Sequence, residues 1–187
     1  MNATTENRVI VVGAGPVGLL CALELARRNV PVLVIESEAG TTLDLRAGTF
    51  HPPTLEMLQE SGVTDAMMAI GIRVPRWQSR DREYGLIVEW DLTVLEKDTP
   101  FPFRLHLEQH RLTPILLEML LKHPHAEVRF GHEFLSLVQD ADGVTATAKT
   151  AQGEVQFKGS WLVGADGGRS PVRKSADIGF GGYTWPE

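Results

Sequence analysis

The feature that most constrains this chain is a short apolar run that ends in a glycine-rich turn. Residues 8–13, RVIVVG, are rich in β-branched side chains, which is typical of a strand buried on both faces of a parallel sheet. The turn GAGPVG, residues 13–18, leads into PVGLLCALELARRN, where apolar residues recur at helical spacing until Asn29. A second apolar run, VPVLVIE, ends at Glu36. This order predicts a compact strand–helix–strand unit.

The glycines of this turn fit the pattern G-x-G-x-x-G of dinucleotide-binding folds. Gly13 permits the tight turn, Gly15 lets the backbone approach a pyrophosphate, and Gly18 lets the helix pack closely on the strand. The N-terminus of the helix offers free N–H groups to the phosphates. We therefore predict a dinucleotide site formed by the whole turn, which comprises Gly13, Ala14, Gly15, Pro16, Val17 and Gly18.

An acidic residue supports this prediction at the end of the second apolar run. Glu36 follows Gly18 by 18 residues, and a carboxylate there can accept hydrogen bonds from the two hydroxyls of an adenosine ribose. Its negative charge disfavours a 2′-phosphate, so FAD or NAD(H) is predicted rather than NADP(H). The alternative is a plain strand–turn–helix joint with a solvated glutamate.

Further along the chain, helical and strand-like segments alternate. The predicted segments are a short helix at 52–62, exposed antiparallel strands at 73–92, a strand and then a helix at 103–124, a third parallel strand at 126–131, a three-stranded meander at 133–159, and a buried strand at 160–166. Pro114 is predicted to lie in the first turn of its helix. The order of these segments indicates an α/β fold with an antiparallel insertion.

Composition narrows the range of partners and compartments. The 187 residues carry a formal net charge of −6, which provides no basic surface for a polyanion and argues against nucleic acid. The single cysteine, Cys21, rules out an internal disulfide and indicates a reducing compartment. Since no apolar run is long enough to span a membrane, we predict a cytoplasmic protein and leave its oligomeric state open.

A metal site is not predicted from the histidines. They show no ligand spacing with cysteines or carboxylates, and they are His51, His106, His110, His123, His125 and His132.

Four stretches, taken together and in this order, resemble the FAD-dependent class A aromatic hydroxylases, the family of para-hydroxybenzoate hydroxylase and phenol hydroxylase. They are VIVVGAGPVGLLCALELARRNVPVLVIE, LRAGTFHPPTLEML, LEQHRLTPILLEML and WLVGADGGRSPVRKSADIGFGG. The resemblance implies an NAD(P)H-dependent monooxygenase that uses FAD to hydroxylate an aromatic or polyketide-like small molecule through a flavin C4a-hydroperoxide. Because the flavin performs this chemistry, no catalytic side chain is predicted among residues 1–187.

The same resemblance implies further cofactor-binding residues. Asp166 and Gly167 are expected near the FAD pyrophosphate and ribityl group, a region that the family also associates with the nicotinamide cofactor. Alternatively, Asp166 caps a helix that starts near Ser170. Arg46 is expected at the flavin side, with a solvated arginine as the alternative. Gln109 is expected to open its helix and bind the cofactor, with an ordinary polar residue at a helix start as the alternative.

The predicted fold is a Rossmann-like FAD-binding domain with three-layer ββα architecture, in which a parallel sheet is combined with an antiparallel β-meander. We expect this domain to comprise residues 1–72 and 95–179, while residues 73–94 and 180–187 form partial strands of a β-rich substrate domain. Family members are longer and carry a third motif of the GDAAH kind, so the chain is expected to be an N-terminal fragment. Two alternatives are a truncated, non-catalytic nucleotide-binding module and an NAD-dependent dehydrogenase.

Overall fold

The computed structural model of the chain describes residues 7–41 and 47–183. Its helices and strands are, in chain order, β1 (Val9–Val12), α1 (Pro16–Arg27), β2 (Val32–Ile35), β3 (Thr49–Phe50), α2 (Pro52–Gln59), α3 (Val63–Met68), β4 (Ile72–Val74), β5 (Arg76–Asp81), β6 (Gly85–Asp91), β7 (Arg104–His106), α4 (Gln109–Leu120), β8 (Ala126–Arg129), β9 (Glu133–Asp140), β10 (Gly143–Thr150), β11 (Gly153–Gly159), β12 (Trp161–Gly164) and α5 (Pro171–Ser175). A 3₁₀ turn at Leu92–Leu95 follows β6. The described residues form two units, 7–41 with 116–183 and 47–115.

The first unit is built on a four-stranded parallel sheet with the order β12-β1-β2-β8. Every residue of β1 and β2 is buried, as expected for continuous apolar strands inside a parallel sheet. The chain runs outward from β1 to β2 and β8 and then returns to the other side of β1 as β12. The strand order therefore reverses between β1 and β12.

Elements on both faces of this sheet produce the three predicted layers. On one face, Ile10 and Leu33 pack against Phe134 and Ala146 of the antiparallel meander, which has the order β11-β10-β9. On the other face, α1 contacts β1 and β2. This helix ends as predicted, because Asn29 adopts a left-handed conformation with φ 59° and donates its N–H to the carbonyl of Ala26. The three-layer prediction is confirmed.

The second unit contains two small antiparallel sheets, β3-β7-β4 and the hairpin β5-β6. Its core includes the fully buried side chains of Leu55, Met67 and Leu105. The hairpin confirms the exposed antiparallel strands predicted for 73–92, and its Trp77 and Trp90 rings stack with centroids 5.4 Å apart. The helices α2 and α3 and the strand β7 belong to this unit as well.

Two further differences from the sequence predictions concern single segments. The prediction for Pro114 is wrong, because α4 begins at Gln109 and Pro114 lies inside the helix. The backbone already turns at the start of α4, around Gln109, since Arg111 N–H donates to Glu108 O at 2.9 Å. Of the strand predicted at 180–187, the described residues 180–183 have no strand conformation, and 184–187 lie outside the described part of the chain. No helix among the described residues is long and apolar enough to cross a membrane.

Candidate functional site

Two glycine-containing turns meet at the carboxyl ends of the strands β1 and β12 of the parallel sheet. Val12 pairs with Gly164 at the carboxyl ends of β1 and β12, and Ala165 N–H donates to Val12 O at 2.8 Å. A Cβ added to Gly13 would lie 2.5 Å from Ala165 O and 3.2 Å from the nitrogen of Asp166. The backbones of the two turns are therefore in direct contact, and Gly13 has a φ of +107° that favours glycine.

The meeting point of the turns is also where the strand order reverses. In open α/β sheets, ligands bind outside the carboxyl ends of the strands at such a reversal, because loops there diverge to opposite sides and leave a crevice. The position of the first turn between β1 and α1 follows directly from its sequence. The position of the second turn beside it depends on β12 pairing with β1.

The first turn packs closely at Gly18 and is open at Gly15. A Cβ on Gly18 would lie 1.9 Å from Gly13 O, so the helix packs against the turn at backbone distance. A Cβ on Gly15 would meet no described atom within 4 Å, which leaves open space before the helix. No side chain of the described residues caps α1, and the first N–H groups of a helix have no partner within it. These open, uncapped donors fit the pyrophosphate of a dinucleotide.

Glu36 joins the end of β2 to the same turn. Its Oε2 accepts a hydrogen bond from Ala14 N–H at 2.7 Å, while Oε1 accepts from the Ser37 hydroxyl at 2.9 Å and from Glu38 N–H at 3.0 Å. The alternative of a solvated glutamate does not describe this half-buried, hydrogen-bonded carboxylate. Because each carboxylate oxygen can accept about two hydrogen bonds, Oε2 retains acceptor capacity for a ribose hydroxyl.

Asp166 is hydrogen-bonded to the start of α5. Its Oδ1 accepts from the Ser170 hydroxyl at 2.6 Å and its Oδ2 accepts from Val172 N–H at 2.9 Å. Ser170 is the N-cap residue, and its Oγ accepts from Arg173 N–H at 2.9 Å. These bonds confirm the interpretation of Asp166 as a helix cap. A contact between Asp166 and a cofactor stays a prediction.

Gly167 completes the second turn. Its φ of +85° lies in the left-handed region, and its carbonyl accepts from Ser170 N–H at 3.1 Å. Since an added Cβ would meet no described atom within 4 Å, it is the backbone conformation, and not lack of space, that favours glycine here.

The remaining two predicted residues are Gln109 and Arg46. Gln109 is in the second unit, where it opens α4 as predicted; its N–H donates to Ala47 O at 3.1 Å and its carbonyl accepts from the Thr113 hydroxyl at 3.0 Å. Arg46 lies outside the described residues.

Sequence reasoning missed the contribution of Ala165, whose carbonyl and side chain contact the positions of Gly13 and Gly18. It also missed the role of the Ser170 hydroxyl. A serine directly before a proline is a common helix start, so this signal was present in the sequence, but its partner Asp166 was not evident from it.

Other reactive groups do not form a second centre in the described part of the chain. Burial raises the pKa of the Cys21 thiol, so this side chain stays protonated at neutral pH. Within residues 7–41 and 47–183, no group of three or more His, Cys, Asp or Glu side chains could hold a metal ion.

Comparison with known proteins assigns the family. The FAD binding domain family matches residues 6–185. Para-nitrophenol 4-monooxygenase of a Pseudomonas species is 34% identical over 98% of this chain and 45% of its own length. The 6-hydroxy-3-succinoylpyridine 3-monooxygenase of Pseudomonas putida is 37% identical over 97% of this chain and 47% of its own length.

Solved structures agree with this assignment. The crystal structure of p-nitrophenol 4-monooxygenase from Pseudomonas putida superimposes with a TM-score of 0.93 at 36% identity, covering 96% of this chain and 45% of that one. An aklavinone-11 hydroxylase, solved in a ternary complex with FAD and aklavinone, gives a TM-score of 0.84 at 36% identity and covers 97% of this chain and 36% of that one. The chain thus spans about half the length of the first two curated relatives. With its two turns in contact at the sheet reversal and a family match across nearly its whole length, the chain belongs to the FAD binding domain family.

Proposed function

We propose that the chain provides the FAD-binding part of an NAD(P)H-dependent monooxygenase that hydroxylates an aromatic or polyketide-like small molecule. The observation that carries the proposal is the contact between the Gly13 turn and the Asp166 turn at the reversal of the strand order. The names of the related proteins support the reaction class, since they are monooxygenases and hydroxylases of aromatic compounds.

In this proposal the chain's own residues bind and orient the cofactor. The backbone of residues 13–18 holds the pyrophosphate with the N-terminus of α1, and Glu36 holds the adenosine ribose. The backbone of the turn at Asp166 and Gly167, together with Gln109 and Arg46, contributes the remaining contacts. FAD supplies the redox chemistry when bound, and the protein supplies position and electrostatics.

The proposal extends to domains and location. Residues 1–72 and 95–179 form the FAD-binding domain, and residues 73–94 and 180–187 contribute to a substrate domain. The separate β5–β6 ladder supports the first of these substrate-domain segments. We place the protein in the cytoplasm, which a single cysteine, Cys21, without a disulfide partner suits.

The test is a titration of the purified chain with FAD, in which the quenching of flavin fluorescence measures binding. We expect one FAD to bind, ADP to compete because it shares the adenosine and pyrophosphate, and FMN to compete poorly because it lacks both. Oxidation of NAD(P)H that rises on addition of 4-nitrophenol would support the full activity. Tight NAD binding without FAD binding would contradict the proposal and favour a dehydrogenase, and a colourless, inert protein would favour the non-catalytic module.

A matched pair of variants links the binding to the site. Glu36→Gln removes the charge that receives the ribose hydroxyls, so FAD affinity should fall about 10-fold, as loss of a hydrogen bond to a charged group predicts. Glu38→Gln makes the same chemical change two residues further along the chain. Glu38 contacts the Glu36 carboxylate through its backbone N–H, and the substitution keeps that bond. It should leave FAD affinity unchanged.

A further inference from the structure

The second turn is closed by one side chain that the family resemblance leaves without a role. Ser170 makes three hydrogen bonds that close the turn. Its hydroxyl donates to Asp166 Oδ1 at 2.6 Å and accepts from Arg173 N–H at 2.9 Å, and its backbone N–H donates to Gly167 O at 3.1 Å. Val172 N–H binds the other carboxylate oxygen at 2.9 Å. The Asp166 carboxylate and the first turn of α5 are thus linked through Ser170.

The helix at one end of this linkage is fixed in the core. The side chain of Val172 is buried in the cluster formed by the parallel sheet and the meander, and a Cβ on Gly164 would lie 2.9 Å from its Cγ1. Leu137 N–H of β9 donates to the Ser175 hydroxyl at 3.0 Å. Because α5 is held at both points, the linkage through Ser170 transmits a fixed position to the turn.

The other end of the linkage reaches the first turn, residues 13–18. The backbone of Ala165 and Asp166 lies against Gly13, where even a Cβ would lie 2.5 Å from the Ala165 oxygen. A displacement of the second turn therefore changes the space in front of Gly13. The Asp166 carboxylate is tied to the start of α5, since Oδ1 accepts from the N-cap hydroxyl of Ser170 and Oδ2 from Val172 N–H. The part of the second turn that lies against Gly13 is the backbone of Ala165 and Asp166.

We infer that Ser170 is a positioning residue for FAD: through Asp166 it fixes the backbone of the second turn against Gly13, and the Asp166 carboxylate acts inside the protein and not on the cofactor. This inference rests on the proposed function. Removing the hydroxyl leaves Asp166 Oδ1 without its donor and Arg173 N–H without its acceptor. The turn then keeps the bonds made by Val172 N–H and by the Ser170 backbone N–H, but it is held less firmly even though α5 stays anchored in the core.

The experiment compares FAD affinity across four variants of the purified chain, together with urea unfolding of each. Ser170→Ala should weaken FAD binding about 3- to 30-fold, the factor that corresponds to loss of an N-cap hydrogen bond. Ser170→Thr keeps the hydroxyl and should restore binding. Asp166→Asn should bind FAD within about threefold of wild type, because its amide oxygen can accept from Val172 N–H and its NH₂ can donate to Ser170 Oγ. Asp166→Ala should lose binding.

Ser160→Ala is the matched control. The Ser160 hydroxyl also donates a side-chain hydrogen bond, to Asn7 Oδ1 at 2.9 Å. Ser160 lies directly before β12, at the amino end of that strand, whereas the second turn follows its carboxyl end. This variant should bind FAD as wild type does, so a loss as large as that of Ser170→Ala would overturn the inference.

The outcomes separate this inference from the proposed function. If wild type binds no FAD, the proposed function fails and the inference fails with it. If wild type binds FAD and Ser170→Ala binds equally well, only the inference is overturned. It is also overturned if Asp166→Asn loses binding as fully as Asp166→Ala while both unfold like wild type, since the charge itself would then contact the cofactor.

Discussion

Two glycines of one motif are required for different physical reasons. At Gly18 a side chain would lie 1.9 Å from the backbone oxygen of Gly13, which cannot move without opening the turn. At Gly15 the backbone has a φ of −70°, which any residue can adopt, and a Cβ would meet no described atom within 4 Å. We therefore assign Gly18 to folding, and we propose that Gly15 leaves the space that a phosphate needs.

This difference predicts opposite effects of two alanine substitutions. Gly18→Ala should lower the free energy of unfolding by about 2 kcal/mol or more, because overpacking against backbone cannot relax. Gly15→Ala should lower it by about 0.5–1 kcal/mol, since alanine is a poorer N-cap than glycine, yet weaken FAD binding more than 10-fold. Urea unfolding and FAD titration measure the two effects. Full FAD affinity in Gly15→Ala would show that the open space is not the phosphate site.

At the scale of elements, Asp91 connects the hairpin to the turn that follows it. Its Oδ1 accepts from the hydroxyl and the N–H of Thr93 at 2.7 and 2.9 Å, and its Oδ2 accepts from Arg76 Nε at 2.8 Å. The pKa of Asp91 lies below its ordinary value of 3.8, because these hydrogen bonds favour the charged carboxylate. The largest effect comes from the Thr93 hydroxyl, the next from the Thr93 N–H, and the third from Arg76. The carboxylate thus caps the 3₁₀ turn and pairs the ends of β5 and β6.

The lowered pKa predicts how the second unit responds to acid. A carboxyl with a lower pKa in the folded state stabilises the fold above its unfolded pKa, and this contribution is lost as the pH falls through the folded pKa. Asp91→Asn should therefore be less stable than wild type at pH 7, and the difference should shrink towards pH 3. Urea unfolding, monitored by tryptophan fluorescence at each pH, measures this difference in the free energy of unfolding.

Asp98→Asn serves as the control for this prediction. Asp98 is exposed, and its backbone N–H donates to Leu95 O at 2.8 Å, a bond that the substitution keeps. Its difference from wild type should be small at both pH values. An Asp91→Asn difference that stays constant between pH 7 and pH 3 would contradict the proposed role of the charge.

At the scale of the whole chain, the core of the first unit packs against the parallel sheet whose strand ends carry the candidate site. Leu33 of β2 is 0% exposed and packs in the cluster between the parallel sheet and the meander. Leu121, after α4 in the same unit, is 56% exposed. The two leucines therefore differ in burial while their side chains are identical.

This contrast predicts a large and a small effect of the same substitution. Leu33→Ala should reduce the free energy of unfolding by about 2–5 kcal/mol, because it removes buried methyl groups and leaves a cavity. Leu121→Ala should change it by about 0.5 kcal/mol or less. Urea unfolding at neutral pH measures both, and equal effects would mean that the sheet–meander packing is not the main source of stability in this unit.

Most elements could be predicted from local pattern. The β-branched run of β1, the helical spacing of α1 and the turn residues of the meander each act within a few residues, so the sequence indicates them directly. The position of Pro114 in α4 was misjudged because a proline favours the first turn of a helix, whereas here the helix already begins at Gln109 and Pro114 lies inside it. That α2, α3 and β7 share a unit with the β5–β6 hairpin depends on tertiary contacts, which no local pattern indicates.

The sequence by itself determined the strand–turn–helix unit, the positions of Gly13, Gly15 and Gly18 in it, and the acidic residue at the end of β2, because these depend on neighbours along the chain. Only the tertiary structure decided what those residues touch. The pairing of β12 with β1 brings Asp166 against Gly13, and through-space hydrogen bonds direct the Glu36 carboxylate to Ala14 and the Asp166 carboxylate to α5. Strand order and side-chain orientation are set by the packing of the whole unit, and no local pattern encodes them.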